Sequence, residues 1–284
     1  MSRPALEPIQ NGDVLPFCVF LNENLNPRIS PQTWVQAFQQ EWGVAKPNDG
    51  FLIRDRGRIV GGIGAIYSEQ VIRGQPERFC NITSWCVLEP FRSQSMRLAL
   101  ALTGQPGYHY TDLTPTAVVA GSLRFLKFKP MDDRRTVWPN LPAPFSGGVR
   151  VLTDGDSIAA HLPAEAARVY RDHRHLPWLS HVAVGTRGAF CHVVYKRRRL
   201  KRLPCADVLH ASDPDLFLRY QRPLGHYWLT RHGLLTTRVE SRFLSGRPAL
   251  ARQVGGYLPK MFRSDTLGGP DIGNLYSELA ALDL

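Results

Sequence analysis

The sequence predicts an α/β chain, α+β in its mixed sheets, arranged as two similar halves. Three observations lead there. Segments with the two-residue apolar alternation of strands interleave with segments of helical period along the chain. One strand-like stretch, Ser84-Trp85-Cys86-Val87-Leu88, runs through a short loop directly into a helix. A stretch rich in Pro, Gly and charge, Asp132 to Gly148, stands between two runs of the same element order, each with helix, hairpin, long strand, helix and strand.

The elements follow in order. Asp13 to Leu21 is apolar and reads as a first strand. Ser30 is a helix N-cap with Pro31 at the first helical position. Trp34, Val35, Phe38 and Trp42 give that helix its apolar face, and Gly43 stops it. Phe51 to Arg54, a turn at Asp55-Arg56-Gly57, and Ile59 to Ile72 form a hairpin. Gly61, Gly62 and Gly64 inside its second strand mark either a close backbone approach or tight packing against a helix. Arg78 to Leu88 is the next strand. A helix follows through Thr103, closed by Gly104, then a short strand Tyr108 to Leu113. Thr114-Pro115-Thr116 opens another helix that ends near Lys127-Phe128.

In the second half, Pro163 to His173 is a helix. Ser180 to Thr186 and Ala189 to Leu203 pair as a hairpin, and Ala206 to His210 is a strand. Asp215 to His232 is a helix, Leu234 to Phe243 a strand, and Leu275 to Leu284 a closing strand. Gly255-Gly256-Tyr257 and Gly268-Gly269-Pro270 read as turns. The expected division is therefore residues 1–135, a linker over 136–148, and residues 149–284.

Composition limits the function classes. The chain has 284 residues, 43% hydrophobic and 21% charged, which excludes disorder and a collagen-like fibre. No run of 18 apolar residues exists, so no membrane-spanning helix is expected. Residues 1–11 lack the basic-then-apolar pattern of a secretory signal, which points to the cytoplasm. Five cysteines without a C-x-x-C pair argue against a disulfide framework and a zinc knuckle. A net charge of +11 favours anionic partners.

The segment from Ser84 to Arg97 is the most informative. The N-terminus of the helix after it presents unpaired N–H groups and a positive dipole end, which together suit phosphate. Arg92 and Arg97 flank the loop, and Ser93 and Ser95 add hydroxyl donors. A pyrophosphate fits this arrangement.

This stretch resembles the central motif of the GNAT acyltransferase superfamily, V-x-P-x-x-R/Q-x-x-G-x-G/A. The lead-in Val87-Leu88-Glu89-Pro90-Phe91-Arg92 matches it, and Ser93, Gln94, Ser95, Met96 and Arg97 complete the loop, with Ser95 and Arg97 where the family has glycine or a small residue. Downstream, Leu126-Lys127-Phe128 resembles the family's L-G-F, with Lys127 for the glycine. Leu123 stands where the family often has a tyrosine that protonates the leaving thiolate. The resemblance covers residues of about 10–135 and matches the family's element order. It implies a GNAT fold, here duplicated with a degenerate second copy, and acetyl-CoA or another acyl-CoA as co-substrate. It implies a transferase that acylates an amine, whether a small molecule or a protein.

The resemblance also assigns the amides and carbonyls of Val87 and Leu88 to the pantetheine arm. A general base must take the amine proton. Glu77, Glu69 and Asp112 are candidates, and Tyr67, Tyr108 and Tyr110 are candidate acids. Two other readings stay open: a Fem-like transferase that uses aminoacyl-tRNA, and a non-catalytic module of this fold that binds acyl-CoA or nucleic acid.

Other features have plainer readings. Cys80 and Cys86 share strand parity and are expected on one face as buried thiols. His173 and His175, two apart on a helix, point to different faces and read as solvated surface. The basic run Lys196 to Arg202 suits an anionic partner or a solvated strand edge that deters pairing. The second half's counterpart of the phosphate loop, Ala211-Ser212-Asp213-Pro214-Asp215, has two carboxylates and no arginine. It is expected to repel a pyrophosphate.

Overall fold

The computed structural model describes residues 3–143, 147–255 and 259–283. Gly256 and Tyr257 of one expected turn, residues 144–146 of the expected linker and Leu284 of the expected closing strand lie outside the described residues. The chain forms two compact units. The first holds Met1–Met131, Leu258–Ile272 and Tyr276–Leu284, and the second holds Asp132–Tyr257 and Gly273–Leu275.

The first unit begins with β1 (Ala5–Pro8), α1 (Asn11–Asn24) and α2 (Pro31–Phe38). The segment expected as a first strand is thus the helix α1. Val14, Phe17, Cys18 and Leu21 are buried at the spacing i, i+3, i+4, i+7, which only a helix brings to one face. Ser30 caps α2 by accepting the Thr33 N–H at 3.1 Å, as its sequence requires.

Next come β2 (Gly50–Asp55), β3 (Arg58–Ile72), β4 (Gln75–Val87), α3 (Ser95–Thr103), β5 (His109–Asp112), α4 (Ala117–Phe125) and β6 (Lys129–Met131). The β3 glycines are there for packing. A Cβ on Gly62 would lie 2.4 Å from the Phe17 ring, and one on Gly64 2.6 Å from Phe38. The aromatic face of α1 and α2 presses directly on the sheet backbone. On the other face, Ile63, Ala65, Cys80 and Ile82 form a core with Leu98, Leu102 and Leu123 from α3 and α4.

The second unit holds β7 (Arg135–Pro139), β8 (Arg150–Leu152), α5 (Gly155–His161), α6 (Ala164–His173), β9 (Ser180–Thr186), β10 (Ala189–Leu200) and β11 (Leu203–Ala211). It continues with α7 (Pro214–Arg219), α8 (Gln221–His232), β12 (Thr236–Glu240) and β13 (Arg252–Val254). The single helix expected over Asp215 to His232 is two, broken at Tyr220. The chain then returns to the first unit with β14 (Lys260–Arg263) and α9 (Glu278–Ala281). The expected closing strand is therefore a short helix, capped by the Ser277 side chain.

Among the described residues there are two seven-stranded mixed sheets, ordered β1-β2-β3-β4-β5-β14-β6 and β13-β7-β12-β11-β10-β9-β8. The plans match. In each, a long antiparallel hairpin leads to one parallel pair, β4 with β5 and β11 with β12. Beside each pair lies an antiparallel strand from elsewhere in the chain: β14 next to β5, and β7 next to β12. Part of the stretch expected as a linker is therefore a sheet strand, and part of the expected second half belongs to the first sheet. Composition marked the Pro-rich segment but could not show that Arg135–Pro139 pairs on both edges.

Candidate functional site

The site is set by where β4 parts from β5. The two pair only through Phe79–Asn81 and His109–Thr111. β4 then runs on alone to Val87. Beyond the pairing it carries a bulge: Thr83 faces Gly64 and Cys86 faces Gly62, so Ser84 and Trp85 together oppose Ile63. Ser84 takes a left-handed φ of 55°. The extra residue reverses parity. Cys80 lies on the α3 and α4 face, while Cys86 points toward α1, its thiol 3.6 Å from the Asn24 carbonyl. The expectation that both share a face fails because of this bulge.

The gap between the strands is a cavity of about 260 Å³. Its walls include Leu25, Ile29 and Trp34 from the α1–α2 region, Trp85 from the bulge and Val119 from α4. Asp112 and Glu278 are the titratable groups in its lining among the described residues. Asp112 is the last residue of β5, and its carboxyl accepts the Thr114 N–H at 3.3 Å. Glu278 opens α9, and its Oε1 accepts from the Leu113 N–H at 3.1 Å and the Thr114 hydroxyl at 2.9 Å. Burial, with Glu278 beside it, pushes the Asp112 carboxyl well above the ordinary carboxylate range. Burial also raises Glu278, against the Thr114 hydroxyl, Asn81 and the Lys260 ammonium.

The open edge of β4 leads from this cavity to α3. The Leu88 N–H donates to the Val60 carbonyl at 2.9 Å, so that amide belongs to β3. Strand alternation turns the Val87 amide and carbonyl to the opposite edge, where β5 has ended. Of the two residues expected to offer backbone groups, Val87 does and the Leu88 N–H does not.

Glu89 to Gln94 then form a 3-10 turn that enters α3. The Arg92 guanidinium is exposed, held by Glu89 at 2.7 Å. Arg97 bends away to the Pro4 carbonyl at 3.1 Å and the Gln94 side chain at 2.8 Å. No side chain caps α3. None of residues 92–97 takes a positive φ, so Ser95 and Arg97 cause no backbone strain where the resembling family has small residues. The residues present fit a pyrophosphate. No side chain caps α3, although the Ser95 N–H already donates to the Arg92 carbonyl in the 3-10 turn; Arg92 is available to replace Glu89 by a ligand phosphate, and the bulk of Arg97 is drawn aside. Lys127 takes a left-handed φ of 64° in its turn, the conformation a glycine would adopt there.

Five of the six expected acid–base residues stand elsewhere. Glu77 precedes the β4–β5 pairing and bonds the His109 ring at 2.9 Å. Tyr108 packs against Tyr67 and Tyr110 beneath Arg78. Tyr67 is held by Asn48 and Gln105, and Tyr110 by the Leu102 carbonyl. Glu77 and Tyr108 lie at the end of the parallel pair opposite Asp112, while Tyr67 and Tyr110 are level with Cys80 in its middle and turn their hydroxyls to Gln105 and the Leu102 carbonyl. Glu69, paired in register with Arg78, lies at that opposite end too. The register that separates them is not visible in either strand alone. Of the candidates named from the sequence, Asp112 lines the cavity. Glu278 was missed, since 166 residues separate it from Asp112 and no motif links them.

In the second unit, β11 also bulges just past its parallel neighbour. Val194 faces His210 and Tyr195 faces Val208, leaving Leu209 extra. The helix that follows is closed to anions. Asp213 accepts the Leu216 N–H at 2.8 Å and Asp215 stands in the first turn. In place of carboxyls, a row of histidines lies across the sheet. His181 and His192 stack with their ring nitrogens 3.1 Å apart, and the His192 and His210 rings lie 6.2 Å apart. Burial pushes His181 and His210 down to about 4 and His192 well below its ordinary value. His173, expected at the surface, is buried and held between the Val169 and Leu275 carbonyls. No group of side chains among the described residues has the geometry of a metal site. The basic run occupies the tip of the β10–β11 hairpin. Lys196 is buried, and Lys201 and Arg202 form the turn with φ of 47° and 72°.

No helix among the described residues is long and apolar enough to cross a membrane. No family model matches the sequence, and no curated protein sequence matches it. Solved structures do resemble it. A GCN5-related N-acetyltransferase from Anabaena variabilis is 10% identical with a TM-score of 0.62, over 92% of this chain and 72% of that one. One from Kribbella flavida is 15% identical with a TM-score of 0.58, over 92% and 71%. A Pyrococcus horikoshii protein is 12% identical with a TM-score of 0.55, over 99% and 95%. This chain is an α+β protein with the fold of the GNAT N-acetyltransferases.

Proposed function

We propose that the chain is an N-acyltransferase that moves an acetyl or other acyl group from acyl-CoA to an amine, with its reaction centre in the first unit. One observation carries the reading. The unpaired edge of β4 joins a cavity holding a buried, proton-hungry carboxyl to the start of α3, which no side chain caps and where the exposed Arg92 pairs only with the exposed Glu89. When bound, acyl-CoA supplies the activated thioester. Arg92 and the first turn of α3 hold its pyrophosphate. The Val87 N–H, aimed along the open edge, orients the arm and polarises the carbonyl. Asp112, whose hold on a proton burial strengthens, takes a proton from the amine. Leu123 is buried and apolar, so no hydroxyl at that position protonates the thiolate.

The test is release of free CoA thiol from acetyl-CoA across a panel of small primary amines. The wild-type chain is expected to release thiol with at least one amine. Asp112→Asn is expected to lose about 10²–10⁴-fold in rate. No release with any amine, or an undiminished rate in the variant, contradicts the reading.

A further inference from the structure

The tip of the β10–β11 hairpin has no part in the proposed reaction. β10 keeps β9 beside it as far as Tyr195, which pairs with Ser180. Past that point, among the described residues, Lys196 to Leu200 have β11 alone as a neighbouring strand. Tyr195 packs on Trp228 of α8, with ring centroids 5.0 Å apart. Strand alternation turns Arg197 and Arg199 to that same face, while Lys196 and Arg198 turn to the other, across from Asp207 and Cys205. Burial, then Arg197 and Arg231, hold the His232 ring below its ordinary value, which places both guanidiniums beside the end of α8. Arg197, Arg199, Lys201, Arg202 and Arg231 are all exposed. Among the described residues none of these five cations is in an ion pair. No Asp or Glu occurs between His173 and Ala206 or between Leu216 and Val239.

The turn at this tip differs from the others in the chain. Among the described residues three other hairpins turn on two residues, Arg56-Gly57, Arg73-Gly74 and Arg187-Gly188, each with glycine second at a positive φ. Lys201 and Arg202 take φ of 47° and 72°, so an arginine stands in the left-handed place that glycine fills elsewhere. The steric cost is borne and a cation is kept at the tip. Cations along an open strand deter edge pairing, which accounts for Arg197 and Arg199 but not for Arg202 in the turn. Nor does it account for the leucines. Leu203, opposite Leu200, is 49% exposed. Leu235, whose N–H donates to the Pro204 carbonyl at 2.9 Å, is 42% exposed. A nucleic-acid backbone would pair with the cations and leave both leucines in water. A bilayer rich in anionic lipid takes both kinds of side chain, arginine forks on phosphate and leucines below them. We propose that the β10–β11 tip docks the second unit on an anionic lipid bilayer, its leucines entering the boundary between headgroups and acyl chains and its five cations meeting lipid phosphates. Such docking needs no membrane-spanning segment. The tip lies within the second unit, so the docking stands or falls apart from the acyl-transfer reading.

The test is co-sedimentation of the full chain with phosphatidylcholine vesicles, with and without about a third phosphatidylserine. The chain is expected to bind the serine-containing vesicles about tenfold or more tightly than the others, and to leave them as salt is raised. Arg202→Gly is expected to weaken that binding about fivefold, the share of one cation near an anionic surface, while its urea unfolding midpoint rises. Leu203→Ser is expected to weaken vesicle binding about tenfold and to leave the binding of a labelled single-stranded oligonucleotide unchanged. Arg187→Ala, which removes a cation from the opposite end of β10, is expected to leave vesicle binding unchanged. Equal binding to the two kinds of vesicle, undiminished binding in Arg202→Gly and Leu203→Ser, or an equal loss in Arg187→Ala overturns the proposal. Oligonucleotide binding without vesicle binding overturns it too, and gives the surface to nucleic acid.

Discussion

Where β4 leaves β5, the first unit keeps two buried carboxyls beside a cavity. Where β11 passes β12, the second keeps a row of buried histidines. Both places follow a bulge, and both lead into a helix. Six of the buried polar atoms without a partner fall in these two places: Trp34, Trp85 and Glu278 in one, His181, His192 and His210 in the other. The strand plan thus makes the same gap twice, and the side chains decide what it does. In the first unit the following helix is uncapped and faces Arg92. In the second, Asp213 occupies the helix N-terminus with its own carboxylate. One gap leads to a helix start with an exposed arginine and no side-chain cap, and the other to a helix start filled by a carboxylate.

The largest expected contrast is in acid. The second unit's histidines titrate lower in the folded state than in the unfolded state, so the unfolded chain takes up protons first. Their contribution is intact above about pH 6.5 and is lost as pH falls toward about 4, on the order of a few kcal/mol. Asp112 and Glu278 are shifted the other way. Their folded forms hold protons more tightly, so their contribution grows as pH falls and is lost as it rises through their folded values. Hydrogen exchange between pH 7 and 4.5 is expected to show β9 to β11 losing protection while β3 and β4 hold theirs. Parallel loss in both units would break the comparison.

A smaller effect concerns the helix N-termini. Arg92→Ala is expected to weaken acetyl-CoA by about 10–100-fold, the worth of a hydrogen bond between charged groups. Asp213→Asn is expected to leave acetyl-CoA affinity unchanged. Thermal shifts with acetyl-CoA read both. The smallest effect concerns the bulges. Ser84 stands in a left-handed conformation that glycine adopts without cost, so Ser84→Gly is expected to raise stability by up to about 1 kcal/mol. Leu209 is buried and has no positive φ, so Leu209→Gly is expected to lower stability instead. Urea unfolding midpoints of the two variants test this.

Much of this was legible in the sequence. The hairpins, the strand running into α3 and the acid-capped loop after β11 follow from period, turn residues and charge. α1 carried its helical spacing openly, at Val14, Phe17, Cys18 and Leu21. That spacing was masked by a run of β-formers around Pro16, a residue the helix accommodates. The bulge at Ser84 was not legible because no glycine marks it. Long-range placement was least legible of all. Asp112 could be named from its position after a short strand. Its partner Glu278 comes from a helix near the C-terminus, and β14 from beyond the second unit, so only the folded chain brings them to the same sheet. Glu77 and Tyr108 lie away from the gap for the same reason: the register of β4 against β5 decides which end of a strand meets it.

The first unit alone is expected to bind the acyl donor. Isothermal titration of the wild-type chain with acetyl-CoA tests it most directly. One site per chain is predicted, weakened about 10–100-fold in Arg92→Ala and unaffected by Asp213→Asn. Two sites per chain, or one whose affinity is unchanged in Arg92→Ala and falls with Asp213→Asn, would contradict it.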